Sequence, residues 1–498
     1  MVKRGNSWEP SPTDFSRVLF DQNPWFETGN VPDALAPRIE RPVAKSLWKR
    51  ITHDVPHRFQ LILGPRRVGK TTAMYQTVRH LLNSGIPAKR IFWLRLDHPL
   101  LMRLTLDKLI SVLFDVSTES GHKPTKKQPI FLFLDELTYA RDWDLWLKTF
   151  YDEAYPFRIV GSSSSTAALR NRKLESGVGR WDEQYLAPYL LLEFLELIQV
   201  PIEIPVGNHL GETLENCIQA KIDVSNYAPA RETFMLTGGF PELLIHTKDS
   251  HEDKVSVFIR SQQILRDDAV IRAIYKDIPQ AVGVEQPMLL ERLLYTLAGQ
   301  IAGILSPANI GKNLDGLSQS TFDRYLSYLE RSYLVFTLPN YSGSEISVQK
   351  RGRKLYFVDG AVRNAALQRG LAPLNHSEEM GLLTENLVAS HLHSLSQQSN
   401  VRLYHWKDKN DEVDLIYDHP EYPLAFEITI KTSHSLRGMI TFRERFPRFE
   451  KNCYHVSESL FAKSPSETDD GIGRIPIDLL LLAAGAQAEK ELASRLSV

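Results

Sequence analysis

One short stretch near the start of the chain constrains its fold more than any other. It runs Gly64-Pro-Arg-Arg-Val-Gly69-Lys70-Thr71, after five apolar residues, 59–63, and before a helix-compatible segment. The two glycines allow a tight turn in which successive backbone N–H groups point at one anion, and the following helix adds the positive end of its dipole. The stretch therefore predicts a phosphate-binding loop between a buried strand and a helix. The alternative is a glycine-containing turn in which Lys70 is merely solvated.

The predicted loop gives individual residues a role. Lys70 would reach the β- and γ-phosphates of a nucleotide, and the Thr71 hydroxyl would hold Mg²⁺. ATP with Mg²⁺ is therefore the predicted ligand. The predicted nucleotide-binding residues of the loop are Gly64, Pro65, Arg66, Arg67, Val68, Gly69, Lys70, Thr71 and Thr72.

A second apolar strand, 130–134, ends in two acids, Asp135 and Glu136. Five apolar residues suit a central parallel strand, and ligands bind beyond the carboxyl ends of such strands. Asp135 would help Thr71 to hold Mg²⁺, directly or through water, and Glu136 would orient and polarise the attacking water. Alone, the segment fits an acidic helix N-terminus equally well. Its place about 65 residues after the loop favours the catalytic interpretation.

Two further polar residues are candidates for the same site. Ser162 lies in a small polar turn after the strand that starts at residue 157, where a side chain can contact the γ-phosphate or the attacking water. The alternative is a serine-rich strand end with no catalytic part. Arg180 follows Gly179 and would reach phosphate charge in its own subunit or in a neighbouring one. An ordinary surface arginine is equally compatible with this position.

The composition limits the classes of function. The 498 residues carry 59 Lys and Arg against 60 Asp and Glu, so we expect no global attraction to nucleic acid or to anionic membranes. The two cysteines, Cys217 and Cys453, exclude a disulfide framework and point to a reducing, cytoplasmic setting. The first residues lack the apolar segment of a signal peptide. The longest apolar stretches, 186–200 and 477–484, are charged or too short to span a bilayer.

Several motifs in a fixed order resemble one group of proteins. After the loop and the Leu-Asp-Glu strand come Gly161-Ser-Ser, Gly179-Arg180 before a Pro-containing helix, and Gly238-Gly-Phe-Pro-Glu242. Then follow Arg353-Lys-Leu-Tyr-Phe-Val-Asp359, Gly381-Leu-Leu-Thr-Glu385-Asn386, and Glu412-Val-Asp414 before Phe426-Glu427-Ile. This series, over roughly residues 45 to 460, resembles the prokaryotic AAA-type ATPases that carry a C-terminal domain of unknown function.

The resemblance implies a multidomain α/β protein. Its parts would be a P-loop NTPase core of AAA type, a helical lid, a winged helix and a restriction-endonuclease-like α/β domain at the C-terminus. The predicted ranges are 1–45 for an N-terminal extension, 46–200 for the core, 201–285 for the lid, 286–375 for the winged helix and 376–498 for the C-terminal domain.

The winged-helix prediction depends on three helical segments between residues 288 and 331, followed by two apolar strands. The third helix would enter a DNA major groove through Ser318, Gln319, Thr321, Arg324 and Tyr325. The connection between the strands carries a basic cluster suited to phosphates, Lys350, Arg351, Arg353 and Lys354. Protein contacts and a solvated basic loop are the alternatives to DNA binding.

The C-terminal segment resembles the restriction-endonuclease-like fold, which implies a second Mg²⁺ site at Glu385, Asp414 and Glu427. Active members place a lysine two residues beyond the glutamate, where it activates water. This chain has Thr429 there, and Lys431 would sit about 6.6 Å further along the strand. We therefore expect the carboxylates to persist while cleavage is weak or lost, which leaves a core-forming domain for DNA or protein contact.

Three functions follow from these patterns. The first is an ATP-hydrolysing switch of AAA type, with Glu136, Lys70 and Arg180 as catalytic residues. The second is a DNA-binding or scaffolding protein that keeps ATP as structural support. The third is an ATP-regulated, Mg²⁺-dependent nuclease. Assembly into homo-oligomers is compatible with each of them, and no membrane partner is expected.

Overall fold

The computed structural model describes residues 12–53, 57–119, 121–165, 179–200, 202–249, 253–343, 352–430, 435–458 and 461–494. The chain divides into two compact units. Met1–Gly64 and Gly69–Leu186 form the first, and Pro65–Val68 and Ala187–Val498 form the second. The first unit therefore ends earlier than the predicted core boundary at residue 200.

The first unit is built on a parallel sheet with the strand order β2-β3-β4-β1-β5. Its strands are β1 Phe59–Leu63, β2 Ile91–Arg95, β3 Ile130–Asp135, β4 Phe157–Ser163 and β5 Trp181–Tyr185. Its helices are α1 Pro12–Gln22, α2 Trp25–Thr28, α3 Pro42–Thr52, α4 Lys70–Asn83, α5 Leu106–Glu119 and α6 Trp143–Asp152. Every residue of β1 and β3 is buried, as expected for central parallel strands. Because β3, β4 and β1 are neighbours, their carboxyl ends lie side by side.

The predicted N-terminal extension contains α1 and α2 and packs on the edge strand β2. The Asn23 amide donates to the Trp93 carbonyl at 3.0 Å and accepts from the Trp93 N–H at 2.6 Å. The indole of Trp25 is fully buried and donates to the Ile91 carbonyl at 2.9 Å. The apolar spacing of Phe15, Val18 and Leu19 was the signal for α1.

The second unit is mainly helical in its first half. Its helices are α7 Leu191–Leu197, α8 Leu210–Gln219, α9 Ala228–Thr237, α10 Pro241–Asp249, α11 Lys254–Leu265, α12 Ile278–Val282, α13 Pro287–Ala298, α14 Pro307–Asn313, α15 Gln319–Arg331, α16 Gly360–Leu367, α17 Ser377–Ser399, α18 Arg437–Arg445 and α19 Ile477–Ser494. Two π-helical segments, Arg266–Ile271 and Ala273–Asp277, join α11 to α12. Its strands are β6 Val335–Leu338, β7 Lys354–Phe357, β8 Arg402–Asp408, β9 Asp411–Asp418, β10 Leu424–Ile428, β11 Cys453–Ser457 and β12 Gly473–Pro476.

Three helices, α13 to α15, precede a two-stranded sheet, as the sequence predicted. Strands β6 and β7 are antiparallel, with Val335 opposite Phe357. The Ser318 hydroxyl accepts from the Thr321 N–H at 3.2 Å and caps α15.

The last domain contains a mixed sheet with the order β12-β11-β10-β9-β8. Strands β8, β9 and β10 pair antiparallel, whereas β10, β11 and β12 pair parallel. Helix α19 packs against α17, and its run 479–482 is fully buried, as expected for a helix segment that is apolar on all sides. Helices α7 and α8 also pack on α19, and Thr213 Oγ1 donates to Gln487 Oε1 at 2.7 Å. The predicted lid therefore includes a helix that packs with the C-terminal domain.

Both cysteines, Cys217 and Cys453, are free and buried. None of the described helices has the length and the apolar character that crossing a membrane requires.

Candidate nucleotide site

The phosphate loop leaves β1 and enters α4 with two residues in the left-handed region. These are Arg67, with φ 64°, and Gly69, with φ 89°. Only glycine fits at position 64, because a Cβ atom there would lie 2.1 Å from the Leu186 carbonyl oxygen. Both glycines of the predicted pattern are therefore required by the backbone. Thr72 lies with Thr71 in the first turn of α4.

Lys70 directs its charge into the loop. Its Nζ donates to the Gly64 carbonyl at 2.9 Å, and the residue is only 6% exposed. The solvated alternative for this lysine is wrong, because its ammonium bonds the backbone of the turn that was predicted to bind phosphate.

Asp135 is the centre of a hydroxyl–carboxylate group at the end of β3. Thr71 Oγ1 lies 3.2 Å from Asp135 Oδ1 and 3.1 Å from Oδ2, and the Ser162 hydroxyl donates to Oδ1 at 2.5 Å. Burial, and next the charge of Glu136, raise the pKa of Asp135 to about 6, against the lowering effect of the two hydroxyls. A hydroxyl beside a carboxylate is an oxygen donor set that Mg²⁺ prefers. The residues predicted to hold Mg²⁺ therefore fit that ion.

Glu136 follows in a left-handed conformation, with φ 55°. Its N–H donates to Ser162 Oγ at 3.0 Å, and one carboxylate oxygen, Oε2, accepts from Ser164 Oγ at 3.2 Å. Strained backbone of this kind is typical of functional sites. Ser162, near the end of β4, and Ser164, just after β4, thus orient both predicted acids.

The two arginines of the loop make ion pairs within the second unit. Arg66 binds Asp277 with two hydrogen bonds, Nε to Oδ2 at 2.6 Å and Nη2 to Oδ1 at 2.8 Å. Arg67 pairs with Asp268 and Glu242. Asp268 and Asp277 lie on the π-helical segments. The loop pattern predicted that these arginines bind nucleotide. It carries no signal for their acidic partners, which lie about 200 residues away in the chain.

Arg180 is not brought to the phosphate loop of its own chain. Its carbonyl accepts from the Phe59 N–H at 3.0 Å, so it lies at the amino end of β1, whereas the loop follows the carboxyl end. Its guanidinium pairs with Asp152 at 2.7 and 3.0 Å. A strand of five residues separates the two ends by about 15 Å. Contact with phosphate in its own subunit is therefore wrong, and contact with a neighbour's phosphate stays a prediction.

The second predicted metal site contains a lysine. Lys354 Nζ lies 2.8 Å from Glu385 Oε1, 2.9 Å from Glu412 Oε1 and 2.7 Å from Asp414 Oδ1. Glu427, on β10, directly precedes Ile428, whose N–H donates to Asp414 Oδ2 at 2.9 Å. In the part of the chain that the structure describes, no group of three or more His, Cys, Asp or Glu is arranged to hold a metal ion. Lys431 lies outside the described residues.

The predicted DNA-binding residues are only partly exposed. Lys354 is 2% exposed and Tyr325 is 5% exposed, so neither can contact a groove. Arg353 donates to Asp323 Oδ1 at 2.7 Å on the surface, and Arg324 is exposed on α15. Lys350 and Arg351 lie outside the described residues. The prediction for Lys354 was wrong because neighbouring residues of an extended segment point to opposite faces, so Lys354 is buried while Arg353 lies on the surface.

Two of the motifs meet at a buried aspartate. Asp359 accepts from the Gly239 N–H at 2.7 Å and from the Ala361 N–H at 2.8 Å. Tyr189 N–H donates to the Gly239 carbonyl at 2.6 Å, and a Cβ on Gly239 would lie 2.3 Å from the Tyr189 carbonyl oxygen. The Gly-Gly-Phe-Pro-Glu motif is therefore a close backbone crossing that Asp359 holds in place.

A phosphate loop after one strand of a parallel sheet and an acid pair after another are the features of a P-loop NTPase-like α/β core. Residues 56–195 match the family model of the AAA domain, and residues 380–479 match a domain of unknown function, DUF4143. Residues 229–372 match another domain of unknown function, DUF8612. The chain thus contains a region similar to the AAA domain and, C-terminal to it, a region similar to a domain of unknown function.

Two relatives come from Methanocaldococcus jannaschii. The uncharacterized protein MJ1544 is 25% identical over 371 residues, which are 73% of this chain and 72% of that protein. The uncharacterized protein MJ1637 is 25% identical over 368 residues, 72% of each chain. Among solved structures, the Walker-type ATPase PABY2304 of Pyrococcus abyssi has a TM-score of 0.40 at 14% identity, covering 65% of this chain and 94% of that one. The Aeropyrum pernix ORC2 protein in its ADPNP–ADP complexes has a TM-score of 0.37 at 12% identity, covering 72% and 100%.

Proposed function

We propose that this protein hydrolyses ATP and acts as a switch of AAA type. The observation that carries the proposal is the position of the Thr71 hydroxyl, 3.1 Å from Asp135, beside a loop whose lysine faces inward. The ammonium and the hydroxyl come from the start of α4 and the carboxylate from the end of β3, and each is a group that a Mg²⁺–triphosphate needs at that place.

Each residue of the site would have its own role in ATP hydrolysis. The backbone N–H groups of the loop and the Lys70 ammonium would bind the β- and γ-phosphates. Thr71 and Asp135 would hold Mg²⁺, which neutralises phosphate charge when bound. Glu136, oriented by Ser164, would position the attacking water and accept its proton. Ser162 would hold Asp135 in the orientation that this arrangement requires.

Steady-state ATP hydrolysis and ATP binding by calorimetry test the proposal together. Lys70→Ala should lose ATP binding and hydrolysis. Glu136→Gln should bind ATP with unchanged affinity, while its kcat falls by about 10²- to 10⁴-fold. Glu183→Gln is the matched control, because Glu183 is an exposed carboxylate on β5 of the same sheet, and its kcat should equal that of wild type. Equal rates in wild type, Lys70→Ala and Glu136→Gln would end the proposal.

The same proposal assigns a domain type to each of the remaining parts of the chain. Helices α13 to α15 with β6 and β7 would form a winged helix, and part of the range 201–285 would form the lid. The mixed sheet β8 to β12 with α17 would be the nuclease-like domain. Its support is that α17, β9 and β10 carry Glu385, Asp414 and Glu427, the three carboxylates that the resemblance implied.

Contact with DNA is a second candidate function, supported by the exposed guanidinium of Arg324 on the third helix. Its neighbours Gln319 and Ser320 are exposed as well, although Asp323 adds an opposing charge. Arg324→Ala should weaken binding to duplex DNA and lower the salt dependence by about one phosphate contact. Arg437→Ala is the control, because Arg437 has a side chain that is 80% exposed in the C-terminal domain. If the two variants bind DNA with the same salt dependence, Arg324 is not part of a DNA interface.

A further inference from the structure

The group of Lys354, Glu385, Glu412 and Asp414, here called the lysine cluster, is closely paired around a buried ammonium, while the Glu412 side chain is 28% exposed. The Lys354 ammonium lies within 2.7 to 2.9 Å of one oxygen from each of the three carboxylates. An ammonium has three N–H donors, and three acceptors are present, so its donors are all engaged. The Lys354 side chain is 3% exposed, against 12% for Glu385 and 11% for Asp414.

The second oxygens of two of the carboxylates are engaged as well, and the Glu385 oxygen that faces the ammonium has a further donor. Asp414 Oδ2 accepts from the Ile428 N–H at 2.9 Å, and Glu412 Oε2 accepts from Lys407 Nζ at 2.7 Å. The Tyr356 hydroxyl donates to Glu385 Oε1 at 2.7 Å. A divalent ion would bind these same oxygens at about 2.0–2.6 Å. It would therefore have to occupy the position that the ammonium now holds.

We propose that the Lys354 ammonium is the resident cation of the lysine cluster: it closes these carboxylates to divalent metal ions and locks β7 against α17 and β9. The three partners come from two different elements, since Glu385 lies on α17 and Glu412 and Asp414 lie on β9. One side chain therefore ties a strand of the two-stranded sheet to both the helix and the sheet of the C-terminal domain.

Strand β7 is held at both of its ends. Lys354 is its first residue, and Asp359, two residues after its last, accepts from the Gly239 N–H at 2.7 Å. Any displacement of β7 would pull the ammonium out of the lysine cluster and leave three carboxylates with Lys407 as the remaining paired cation among the described residues. The lock therefore keeps β7 and the C-terminal domain in one arrangement, and a nuclease metal centre is incompatible with that arrangement.

Manganese binding to the nucleotide-free, full-length protein tests the closed state without relying on a destabilised variant. Titration followed by electron paramagnetic resonance should give the same Mn²⁺ stoichiometry for wild type and Asp414→Asn. Any Mn²⁺ held near the phosphate loop is identified by its loss in Asp135→Asn. A Mn²⁺ ion that binds wild type and is lost in Asp414→Asn would overturn the proposal.

Thermal unfolding tests the lock. Lys354→Met should lower the unfolding midpoint by roughly 6–12 °C, because it removes the ammonium that pairs with Glu385 and Asp414. Arg353→Met, next to it, should change the midpoint by less than about 2 °C, because the Arg353–Asp323 pair is exposed. Adding Glu385→Gln and Asp414→Asn to Lys354→Met should restore most of the loss.

In the same experiment, Mn²⁺ distinguishes protein that contains the Lys354 ammonium from protein that lacks it. Mn²⁺ should raise the midpoint of Lys354→Met and leave that of wild type unchanged, since only the variant lacks a resident cation. Equal midpoints for Lys354→Met and Arg353→Met, or equal Mn²⁺ effects on wild type and Lys354→Met, would overturn the lock. If Lys354→Met does not fold, the triple variant carries the thermal measurement and the wild-type titration decides on the closed state. Neither readout involves ATP, so failure here is distinguishable from failure of the proposed hydrolysis.

Discussion

The Ser162 hydroxyl donates to Asp135 Oδ1 at 2.5 Å and accepts from the Glu136 N–H at 3.0 Å. One side chain at the end of β4 thus fixes both acids that follow β3. This is possible because β3 and β4 are neighbours, with Leu134 opposite Gly161. Ser162 is therefore a positioning residue for the candidate site, acting through the two acids.

Removing this hydroxyl should slow hydrolysis more than it weakens binding. We expect Ser162→Ala to lower kcat about 10- to 100-fold, because a hydrogen bond to a charged group contributes about 1.5–3 kcal/mol. Ser163→Ala is the control, since the Ser163 hydroxyl donates to the Ser165 carbonyl at 2.8 Å instead of to an acid. Steady-state kinetics that give the two variants the same kcat would show that Ser162 does not position the acids.

Gly64 should not accept a side chain. Gly64→Ala would put a methyl group 2.1 Å from the Leu186 carbonyl, and the loop must then move. We expect ATP affinity to fall at least about 10-fold and the unfolding midpoint to fall by several degrees, as for other strained backbone positions. Gly381→Ala, in α17, is the control, because the nearest contact of its Cβ among the described residues would be Ile430 Cδ1 at 3.7 Å. Its stability should stay the same or rise by about 0.5–1 kcal/mol, and equal effects of the two changes would contradict this account.

Acid should destabilise the second unit through His391. Its Nε2 accepts from the Leu191 N–H at 2.9 Å, which requires a neutral ring, and burial lowers the pKa of His391 to about 4. The folded-state pKa is below the ordinary value of about 6.5, so this stability is present above pH 6.5 and is lost as pH falls towards 4. The loss should approach about 1.4 kcal/mol per pH unit in that window.

Urea unfolding at pH 7.5, 6.5 and 5.5 measures this dependence. His391→Gln keeps an acceptor but cannot titrate, so its free energy of unfolding should fall less steeply between pH 6.5 and 5.5 than that of wild type. Parallel pH profiles for the two proteins would rule out His391 as a source of the acid sensitivity.

Asp359→Ala should be strongly destabilising. The change leaves the buried N–H groups of Gly239 and Ala361 without their acceptor, at a cost of about 1–3 kcal/mol each. Chemical denaturation should therefore show a loss of about 2–6 kcal/mol. Asp323→Ala is the matched surface change and should cost less than about 1 kcal/mol. A loss for Asp359→Ala no larger than that of the control would disprove the backbone-crossing account.

The sequence predicted what depends on local pattern. The phosphate loop, the strand ending in Asp135 and the polar turn at Ser162 each carry a short signal, and parallel pairing brings their ends together. The position of Arg180 could not be predicted, because it depends on strand pairing. Arg180 lies at the amino end of β1 because its carbonyl pairs with the Phe59 N–H. The local sequence around Gly179 contains no information about that pairing.

Lys354 shows why the other errors arose. Beside Lys350, Arg351 and Arg353 it looks like one more surface charge, but strand geometry turns it to the opposite face from Arg353. Its three carboxylate partners lie 31 to 60 residues further along the chain. Only the packing of β7 on α17 and β9 makes the charge favourable, and no window of sequence contains all of these elements.

The side chains of Asn23 and Trp25 have a practical consequence for work with fragments. They satisfy backbone groups of β2, which is the outer strand of the sheet of the first unit. A fragment trimmed to the matched AAA range, 56–195, would lack both and expose an open strand edge, which is a template for pairing with further copies. Such a fragment should precipitate or oligomerise through that edge, so fragments intended for assays should begin ahead of α1.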